Sequence, residues 1–148
     1  MNRDTRPADE LAQTISGATP TSARAVPWTA PYGVPGESEI LVNATPVGLA
    51  PHVDDRLDLD MASIGPDLLV CDVIMNPPQT HLLRTAASRG ATVLDGRGML
   101  VNQAALNIRM WTGVQVDPAL LRTALDRAMQ DGCKEGLIAE NAPTPTAV

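Results

Sequence analysis

The chain has 148 residues, which is enough for one ordinary domain and too few for two well-developed ones. Apolar residues make up 44% of the chain and charged residues 19%, a globular composition that argues against disorder throughout. The net charge is −6 and the basic residues are scattered, which argues against a nucleic-acid interface or a membrane-surface helix. No apolar run is long enough to span a membrane and the first residues are charged, so we expect a cytoplasmic protein.

The cysteines and histidines give no sign of a disulfide or a metal site. Cys71 lies in an apolar run and Cys133 in a polar one, and His52 and His81 are isolated from each other and from both cysteines. We therefore expect no metal ion.

The first predicted element is a helix near the start of the chain. Ala8, Leu11, Ala12 and Ile15 recur at helical spacing, and Gly17 ends the run. The segment "ARAVPW" that follows is a weak strand candidate, and "TAPYGVPGE" is typical of a turn.

Two short apolar runs are typical of strands buried in a parallel sheet. They are "SEILVNATP" and "DLLVCDVIM", each bounded by turn residues and too short for a helix. The long polar stretch "VGLAPHVDDRLDLDMASIGP" separates them.

A helix and a third strand follow the second apolar run. Leu82, Leu83, Ala86 and Ala87 lie on one face of the predicted helix, which Gly90 closes as a left-handed cap. The third strand is "ATVLDG".

Two more helices complete the pattern. The segment "RGMLVNQAALNIRMWTG" predicts a helix that Gly113 ends, and Asp117 then serves as the N-cap of a last helix that starts at Pro118. The predicted inward residues of that helix and its C-terminal stop are Leu121, Leu125, Ala128 and Gly132.

Strands that alternate with helices predict an α/β domain in which a parallel sheet carries helices on both faces. We expect this domain to span residues 1–132, with a disordered tail over 133–148. Ligands of such sheets bind outside the carboxyl ends of the strands, which directs attention to "NATP", "MNPP" and "DGRG".

The first two of these strand ends carry polar residues that also have a structural explanation. Asn43 and Thr45 offer donors and acceptors to a ligand, but both are ordinary turn formers. Asp72 is predicted to accept hydrogen bonds from loop N–H groups, because a carboxylate inside an apolar strand needs donors. Met75 is predicted to pack rather than to contact a cofactor.

The segment after the third strand is more informative. Gly96 and Gly98 let a backbone approach a flat ring closely, and the N-terminus of the next helix supplies free N–H groups. Gln103 lies one four-residue step beyond Met99, so its amide can project toward the same crevice. A glycine-rich turn with a surface glutamine is the alternative interpretation.

Three segments taken in order carry a family resemblance: "NRDTRPADELA", "EILVNATPVGL" and "DLLVCDVIMNPPQTHLLRTAASRGATVLDGRGMLVNQAALNIRMWTG". From Asn2 to about Ala128 the chain resembles the carboxyl-terminal, cofactor-binding half of the shikimate dehydrogenase family. The most specific part is "DGRGMLVNQAA" followed by "WTG". The resemblance implies a partial Rossmann-type sheet and the NADP(H)-linked interconversion of 3-dehydroshikimate and shikimate.

The resemblance also implies roles for individual residues. Asn2 and Arg3 match the start of the family's loop for the adenosine 2′-phosphate, which a guanidinium can bind in bidentate fashion. The other implied cofactor-binding residues are Asn43, Ala44, Thr45, Val73 and Gly96, and the implied substrate-binding residues are Met75 and Gln103. The expected cofactor is NADP, with NAD as the alternative, and the expected substrate is a shikimate-like small molecule.

Departures from the family pattern bear on specificity. Asp4 stands where the family commonly has Thr, and Pro7 stands at a basic position. A carboxylate at position 4 would repel a 2′-phosphate and accept a hydrogen bond from a free ribose hydroxyl. Val73 and Met75 replace the Met and Tyr of typical members, which leaves shikimate, quinate and a relative as alternative substrates.

The sequence also lacks parts that the family's reaction needs. It contains no G-x-G-x-x-G or G-x-G-G-A motif, and its sole lysine, Lys134, lies in the predicted tail, so no residue is assigned a catalytic role. We therefore expect a truncated chain that is inactive alone and forms a homodimer or pairs with a missing amino-terminal half. The alternatives are a non-enzymatic module that pairs through an exposed sheet edge, and a nucleotide-binding fragment without catalysis.

Overall fold

A computed structural model describes residues 6–28 and 31–135 of the chain, with the side chains of 132–135 excepted. In this range the helices are α1 (Arg6–Ala18), α2 (His81–Ser88), α3 (Arg97–Thr112) and α4 (Pro118–Glu135). The strands are β1 (Tyr32–Gly33), β2 (Ile40–Asn43), β3 (Leu59–Asp60), β4 (Leu69–Asp72) and β5 (Thr92–Leu94). A single 3-10 turn, Met61–Ser63, follows β3.

The predicted parallel sheet is confirmed. Its three strands lie in the order β2-β4-β5, and both pairings are parallel. Asn43 lies opposite Asp72, and Cys71 lies opposite Leu94, so the carboxyl ends of all three strands meet at one edge of the sheet. A separate two-stranded parallel pair joins β1 to β3.

Helix α2 packs on one face of the three-stranded sheet. Val70 of β4 and Leu83 of α2 are buried in the same apolar cluster. The opposite face is largely open in the described part of the chain, where Ile40, Val42 and Leu94 are 59%, 55% and 57% exposed. Helices α3 and α4 pack against each other. The described helices therefore cover one face of the sheet far better than the other.

The first helix matches its prediction but has little to pack against. Helix α1 covers the predicted apolar residues, yet it buries none of its residues, and Leu11 is 61% exposed. Because helical stability in proteins comes mostly from packing of the apolar face, α1 is the least supported of the described helices.

The strand predicted at "ARAVPW" is wrong. The described residues from 21 to 28 adopt no regular structure, and the nearby β1 falls inside the segment predicted to be a turn. The ring of Trp28 instead stacks on that of Tyr32, with centroids 5.3 Å apart, and both pack against the core. A strand needs a neighbour to bond its backbone, and β3 offers one to Tyr32 and Gly33 only.

Helix ends follow the predicted glycine stops in two of four places, and Gly17, predicted to end the first helix, lies inside α1, which runs to Ala18. Gly90 and Gly113 both take positive φ values, 87° and 75°, where a side chain would be strained. Gly132 does not end α4, which continues to Glu135, because a helix can include a glycine at a cost of about 1 kcal/mol. Residues 133–135, which were predicted to belong to the tail, are thus helical, and residues 136–148 lie outside the described part of the chain.

Two of the predicted inward residues face solvent. Leu82, Leu83 and Ala86 of α2 are buried as predicted, but Ala87 is exposed. In α4, Leu121 and Leu125 are partly buried and Ala128 is exposed, because α4 packs mainly on α3 rather than into a closed core.

Thr80 joins the sheet to helix α2. Its Oγ1 accepts a hydrogen bond from the Leu83 N–H at 3.3 Å and so caps the helix, and the same hydroxyl donates to Asp72 Oδ2 at 2.8 Å. Thr80 is only 2% exposed, so water cannot replace either bond.

We expect Thr80→Ala to lower the free energy of unfolding by about 1–3 kcal/mol, because it removes a helix cap and leaves a buried carboxylate oxygen without its donor. Urea unfolding followed by circular dichroism measures this loss. Thr80→Ser keeps the hydroxyl and should recover most of it, and Ser88→Ala, which removes an exposed hydroxyl at the other end of α2, is the control. Equal stability of the two alanine variants would contradict the assigned role of Thr80.

Candidate functional site

The carboxyl ends of β2 and β4 are tied together by a buried carboxylate. Asp72, which is 2% exposed, accepts hydrogen bonds at Oδ1 from Asn43 Nδ2 (3.2 Å) and from the Ile74 N–H (3.0 Å). Its other oxygen accepts from Thr80 Oγ1. Asp72 thus has the structural role that the sequence predicts, since it accepts hydrogen bonds from a loop N–H and from two neighbouring side chains.

Asn43 and Thr45 use their polar groups in hydrogen bonds within the turn. Asn43 Oδ1 accepts from both the backbone N–H (3.0 Å) and the hydroxyl (2.7 Å) of Thr45, and Thr45 Oγ1 accepts from the Val47 N–H at 3.3 Å. Ala44 between them is exposed. Of the alternatives that the sequence leaves open, the turn role is therefore the one that these hydrogen bonds describe.

Gly96 joins the end of β5 to the end of β4. Its N–H donates to the Ile74 carbonyl at 3.2 Å, and a Cβ at this position would lie 2.1 Å from the Val73 carbonyl oxygen. Such a distance is far inside van der Waals contact, so only glycine fits. The open space that the sequence assigns to both glycines is found at Gly98, where a Cβ would meet nothing within 4 Å.

A cleft of about 420 Å³ opens beside this junction. Cys71 and Val73 form its floor at the end of β4, and Gly96, Gly98 and Met99 line it from the turn and the start of α3. Most of the lining is apolar, and the first turn of α3, whose Arg97 N–H donates to Asp95 Oδ1, borders the cleft. An apolar slot of this kind suits a flat heteroaromatic ring.

Asn102, rather than Gln103, is the amide that reaches the cleft. Asn102 lines it and donates from Nδ2 to the Gly98 carbonyl at 2.8 Å. Gln103 is exposed and is not among the described lining residues. Both are close to one helical turn beyond Met99, at three and four residues, and the three-residue step was the signal that the sequence analysis missed.

Val73 and Met75, to which the family resemblance assigns binding roles beyond β4, also differ in whether they line the cleft. Val73 lines the cleft, whereas Met75 is 37% exposed and is not among the described lining residues. Asn2 and Arg3, the implied phosphate-binding pair, lie outside the described residues, as does Asp4.

An ion-pair network that the sequence analysis did not detect holds the turn against α4. Arg97 donates from Nη2 and Nε to Asp95 Oδ2, at 2.6 and 3.0 Å, and from Nη1 to Asp126 Oδ1 at 3.0 Å. Arg122 also binds Asp126. Asp95 Oδ1 accepts from the Arg97 N–H, so the same carboxylate caps the start of α3.

The charges of this network shift the pKa values of Asp95 and Arg97. Burial by itself acts to raise the pKa of Asp95, but hydrogen bonds from Arg97 and the positive charges of Arg97 and Arg122 hold that pKa below its usual value. The bond to Asp95 in turn raises the pKa of Arg97. Both groups stay ionised at neutral pH, so the turn that lines the cleft is held by permanent charges.

The described part of the chain contains no group of three or more histidine, cysteine, aspartate or glutamate side chains arranged to hold a metal ion. Within the same residues, no helix has the length and apolar character needed to cross a membrane.

A segment that lines one side of this cleft matches a known family. Residues 96–125 match the family model described as the shikimate 5'-dehydrogenase C-terminal domain. The chain is 37% identical over 135 residues to shikimate dehydrogenase (NADP(+)) of Desulforamulus reducens, a match that covers 88% of this chain and 46% of the relative. The chain thus spans about half the length of the curated relative that it matches.

Two solved structures have folds similar to that of this chain. The ligand-free 5-ketofructose reductase of Gluconobacter sp. strain CHM43 is similar with a TM-score of 0.78 and 37% identity, over 86% of this chain and 46% of that one. Quinate dehydrogenase from Corynebacterium glutamicum, solved with NAD, is similar with a TM-score of 0.67 and 30% identity, over 82% of this chain and 43% of that one. The chain belongs to the shikimate dehydrogenase family, of whose members it matches the carboxyl-terminal half.

Proposed function

We propose that this chain provides the cofactor-binding half of a shikimate dehydrogenase-type oxidoreductase, which interconverts 3-dehydroshikimate and shikimate with NADP(H) in the cytoplasm. The observation that carries the proposal is the apolar cleft of about 420 Å³ at the carboxyl ends of β4 and β5, which is lined in part by the start of the segment that matches the family model. The name of the Desulforamulus relative specifies NADP(+), which supports the choice of cofactor.

The residues present fit a nicotinamide ring in this cleft. The apolar floor at Cys71 and Val73 excludes water from one side of a ring, and the open space at Gly98 admits its approach. When bound, the nicotinamide supplies hydride to the substrate ketone, and its oxidised form accepts hydride in the reverse direction. This chain's contribution is to bind and orient that ring through Val73, Gly96 and Met99.

The proton donor and the remaining substrate-binding groups are proposed to come from another part of the enzyme. Reduction of the ketone needs one proton besides the hydride, and the only lysine in this sequence, Lys134, follows the last predicted inward residues of α4 rather than a strand end. The sequence also has no glycine-rich loop to bind a pyrophosphate. We propose that the chain acts with the amino-terminal half of a family member, which holds the substrate, and that it has no dehydrogenase activity alone.

Purified chain should show no turnover of shikimate with NADP or NAD. The same chain, joined through its amino terminus to the amino-terminal half of the Desulforamulus reducens relative, should gain measurable turnover, because the pyrophosphate and the substrate are then both held. Absorbance of the reduced nicotinamide measures the rate. Robust turnover by the chain alone, or none by the joined protein when it is folded, would contradict the proposal.

A nucleotide-binding protein without catalysis is the second candidate function, and the same cleft favours it. Titration of the joined protein with NADPH, followed by nicotinamide fluorescence, tests it. Affinity without turnover would favour this second candidate over the oxidoreductase.

Gln103 and Asn102 form a matched pair that separates substrate binding from cofactor binding. In the joined enzyme, Asn102→Ala should raise the KM for the nucleotide, because Asn102 lines the cleft and supports Gly98. Gln103→Ala should instead lower kcat/KM for shikimate by the equivalent of about 1–3 kcal/mol, the cost of losing a hydrogen bond to a substrate, with little change in the nucleotide KM. Equal damage to both KM values by Gln103→Ala would show that Gln103 is structural.

Asp4 tests the choice between NADP and NAD. In the joined enzyme, Asp4→Thr should raise the ratio of kcat/KM for NADP to that for NAD about fivefold, because it removes a carboxylate whose repulsion of a phosphate at contact distance is worth about 1 kcal/mol in water. Asp9→Thr, on the exposed side of the following helix, is the control. An unchanged ratio in Asp4→Thr would show that this loop does not distinguish a 2′-phosphate from a 2′-hydroxyl.

A further inference from the structure

The charged side chains that line the cleft beside α3 are both acidic. Asp72 and Asp95 belong to its lining, and the described lining residues include no lysine or arginine. The two carboxylates differ in their partners. The hydrogen bonds described for Asp72 come from neutral groups, whereas Asp95 accepts from a guanidinium. The charge that the cleft presents to a ring therefore depends on how far Asp95 is neutralised.

The cation that neutralises Asp95 is held outside the cleft. Arg97 donates to Asp95 Oδ2 from Nη2 at 2.6 Å and from Nε at 3.0 Å, and its Nη1 donates to Asp126 of α4 at 3.0 Å. Arg97 is not among the described residues that line the cleft. The guanidinium therefore offsets the charge of Asp95 from the side of α4 and does not occupy the space where a ring would bind.

This neutralisation is shared with a second carboxylate. The guanidinium of Arg97 also binds Asp126, and Arg122 Nη2 lies 4.0 Å from Asp95 Oδ2. The four groups Asp95, Asp126, Arg97 and Arg122 carry no net charge together, but Asp95 alone among them lines the cleft. The member of the network nearest to a bound ring is thus the negative one.

The two redox forms of nicotinamide differ in charge at the ring. The oxidised ring carries one positive charge and the reduced ring is neutral, whereas the attached ribose and phosphate are the same in both forms. A negative charge close to the ring therefore favours the oxidised form, and a positive charge favours the reduced form. Burial acts to raise the pKa of Asp95, but the hydrogen bonds and charges of its arginine partners hold it below the usual value, so the carboxylate is ionised at neutral pH.

We propose that Asp95 sets the relative affinity of this cleft for the oxidised and the reduced nicotinamide ring in favour of the cationic oxidised form, and that Arg97 limits this preference by pairing with the same carboxylate. The inference rests on the proposed function and deepens it, because it assigns a role to two residues that the family resemblance leaves without one. Asp95 acts through its charge, and Arg97 acts through Asp95.

The experiment uses the 148-residue chain with nicotinamide mononucleotide as the probe, in its oxidised and its reduced form. This probe carries the ring and a single phosphate, so it needs no loop for a pyrophosphate. Titration followed by the ¹H–¹⁵N resonances of Val73 and Gly98, which line the cleft, gives a dissociation constant for each form. The ratio of the two constants cancels effects that are common to both forms.

Two single substitutions should move this ratio in opposite directions. Asp95→Asn removes the charge and keeps the shape, and it should lower the preference for the oxidised form about threefold, somewhat less than a unit charge at contact distance produces in water. Arg97→Gln should raise the preference by a similar factor, because the carboxylate then lacks its neutralising partner. Simple structural damage would weaken the binding of both forms and leave the ratio unchanged.

Three further variants separate charge from structure. The double variant Asp95→Asn with Arg97→Gln leaves the net charge as it was and should return the ratio to that of the unchanged chain. Arg97→Lys keeps the positive charge without the fork that binds two carboxylates, so it should preserve the ratio even where both affinities fall. Asp67→Asn changes an exposed carboxylate just before β4, at the opposite end of the strand from the cleft, and should have no effect. Circular dichroism of each variant checks its fold.

Ratios that stay constant in both single variants, or that move in the same direction in both, would overturn the inference while binding of the probe sustains the proposed cofactor site. Failure of the unchanged chain to bind either form, together with failure of the joined protein to bind NADP or NADPH, would contradict the proposed function and this inference with it. The expected opposite shifts without turnover by the joined protein would sustain the inference and contradict the proposed catalysis.

Discussion

The buried carboxylate of Asp72 is the constraint on which the rest of the site depends. One oxygen binds the side chain at the end of β2 and a backbone N–H after β4, and the other binds the hydroxyl that caps α2. A carboxylate removed from water is stable only when its oxygens are satisfied in this way. The positions of two strand ends and one helix start are therefore fixed together rather than independently.

The shape of the cleft depends on the hydrogen bonds of Asp72 and on a second junction at Gly96. The backbone of Gly96 lies against the Val73 and Ile74 carbonyls so closely that no side chain fits between them. Arg97 then anchors the same turn to α4 through two carboxylates. Since these contacts involve backbone packing and permanent charges, the floor and rim of the cleft are set before any ligand binds, which is what orientation of a flat ring requires.

The open surfaces of the molecule have a common interpretation. The sheet face at Ile40, Val42 and Leu94 is more than half exposed, and helix α1 buries none of its residues. A sheet that carries α2 on one face only has one of the two helix layers that such sheets normally use. In the described residues the open face of the sheet is therefore less well packed than the face that α2 covers, whereas the cleft at the carboxyl ends of β4 and β5 is already formed.

The sequence by itself determined the order and type of the main elements, because each has a local cause: apolar runs of strand length, helical spacing, and glycine caps at Gly90 and Gly113. It also located the strand ends that form the site and the family that the chain belongs to. Only the tertiary structure decided which amide reaches the cleft, why position 96 must be glycine, and that Arg97 binds Asp126, since these contacts join residues that are distant in sequence. The predictions of a strand at "ARAVPW" and of a helix end at Gly132 are wrong for a related reason. A strand needs a neighbouring backbone, and a helix ends where packing and capping allow. The local sequence specifies neither condition.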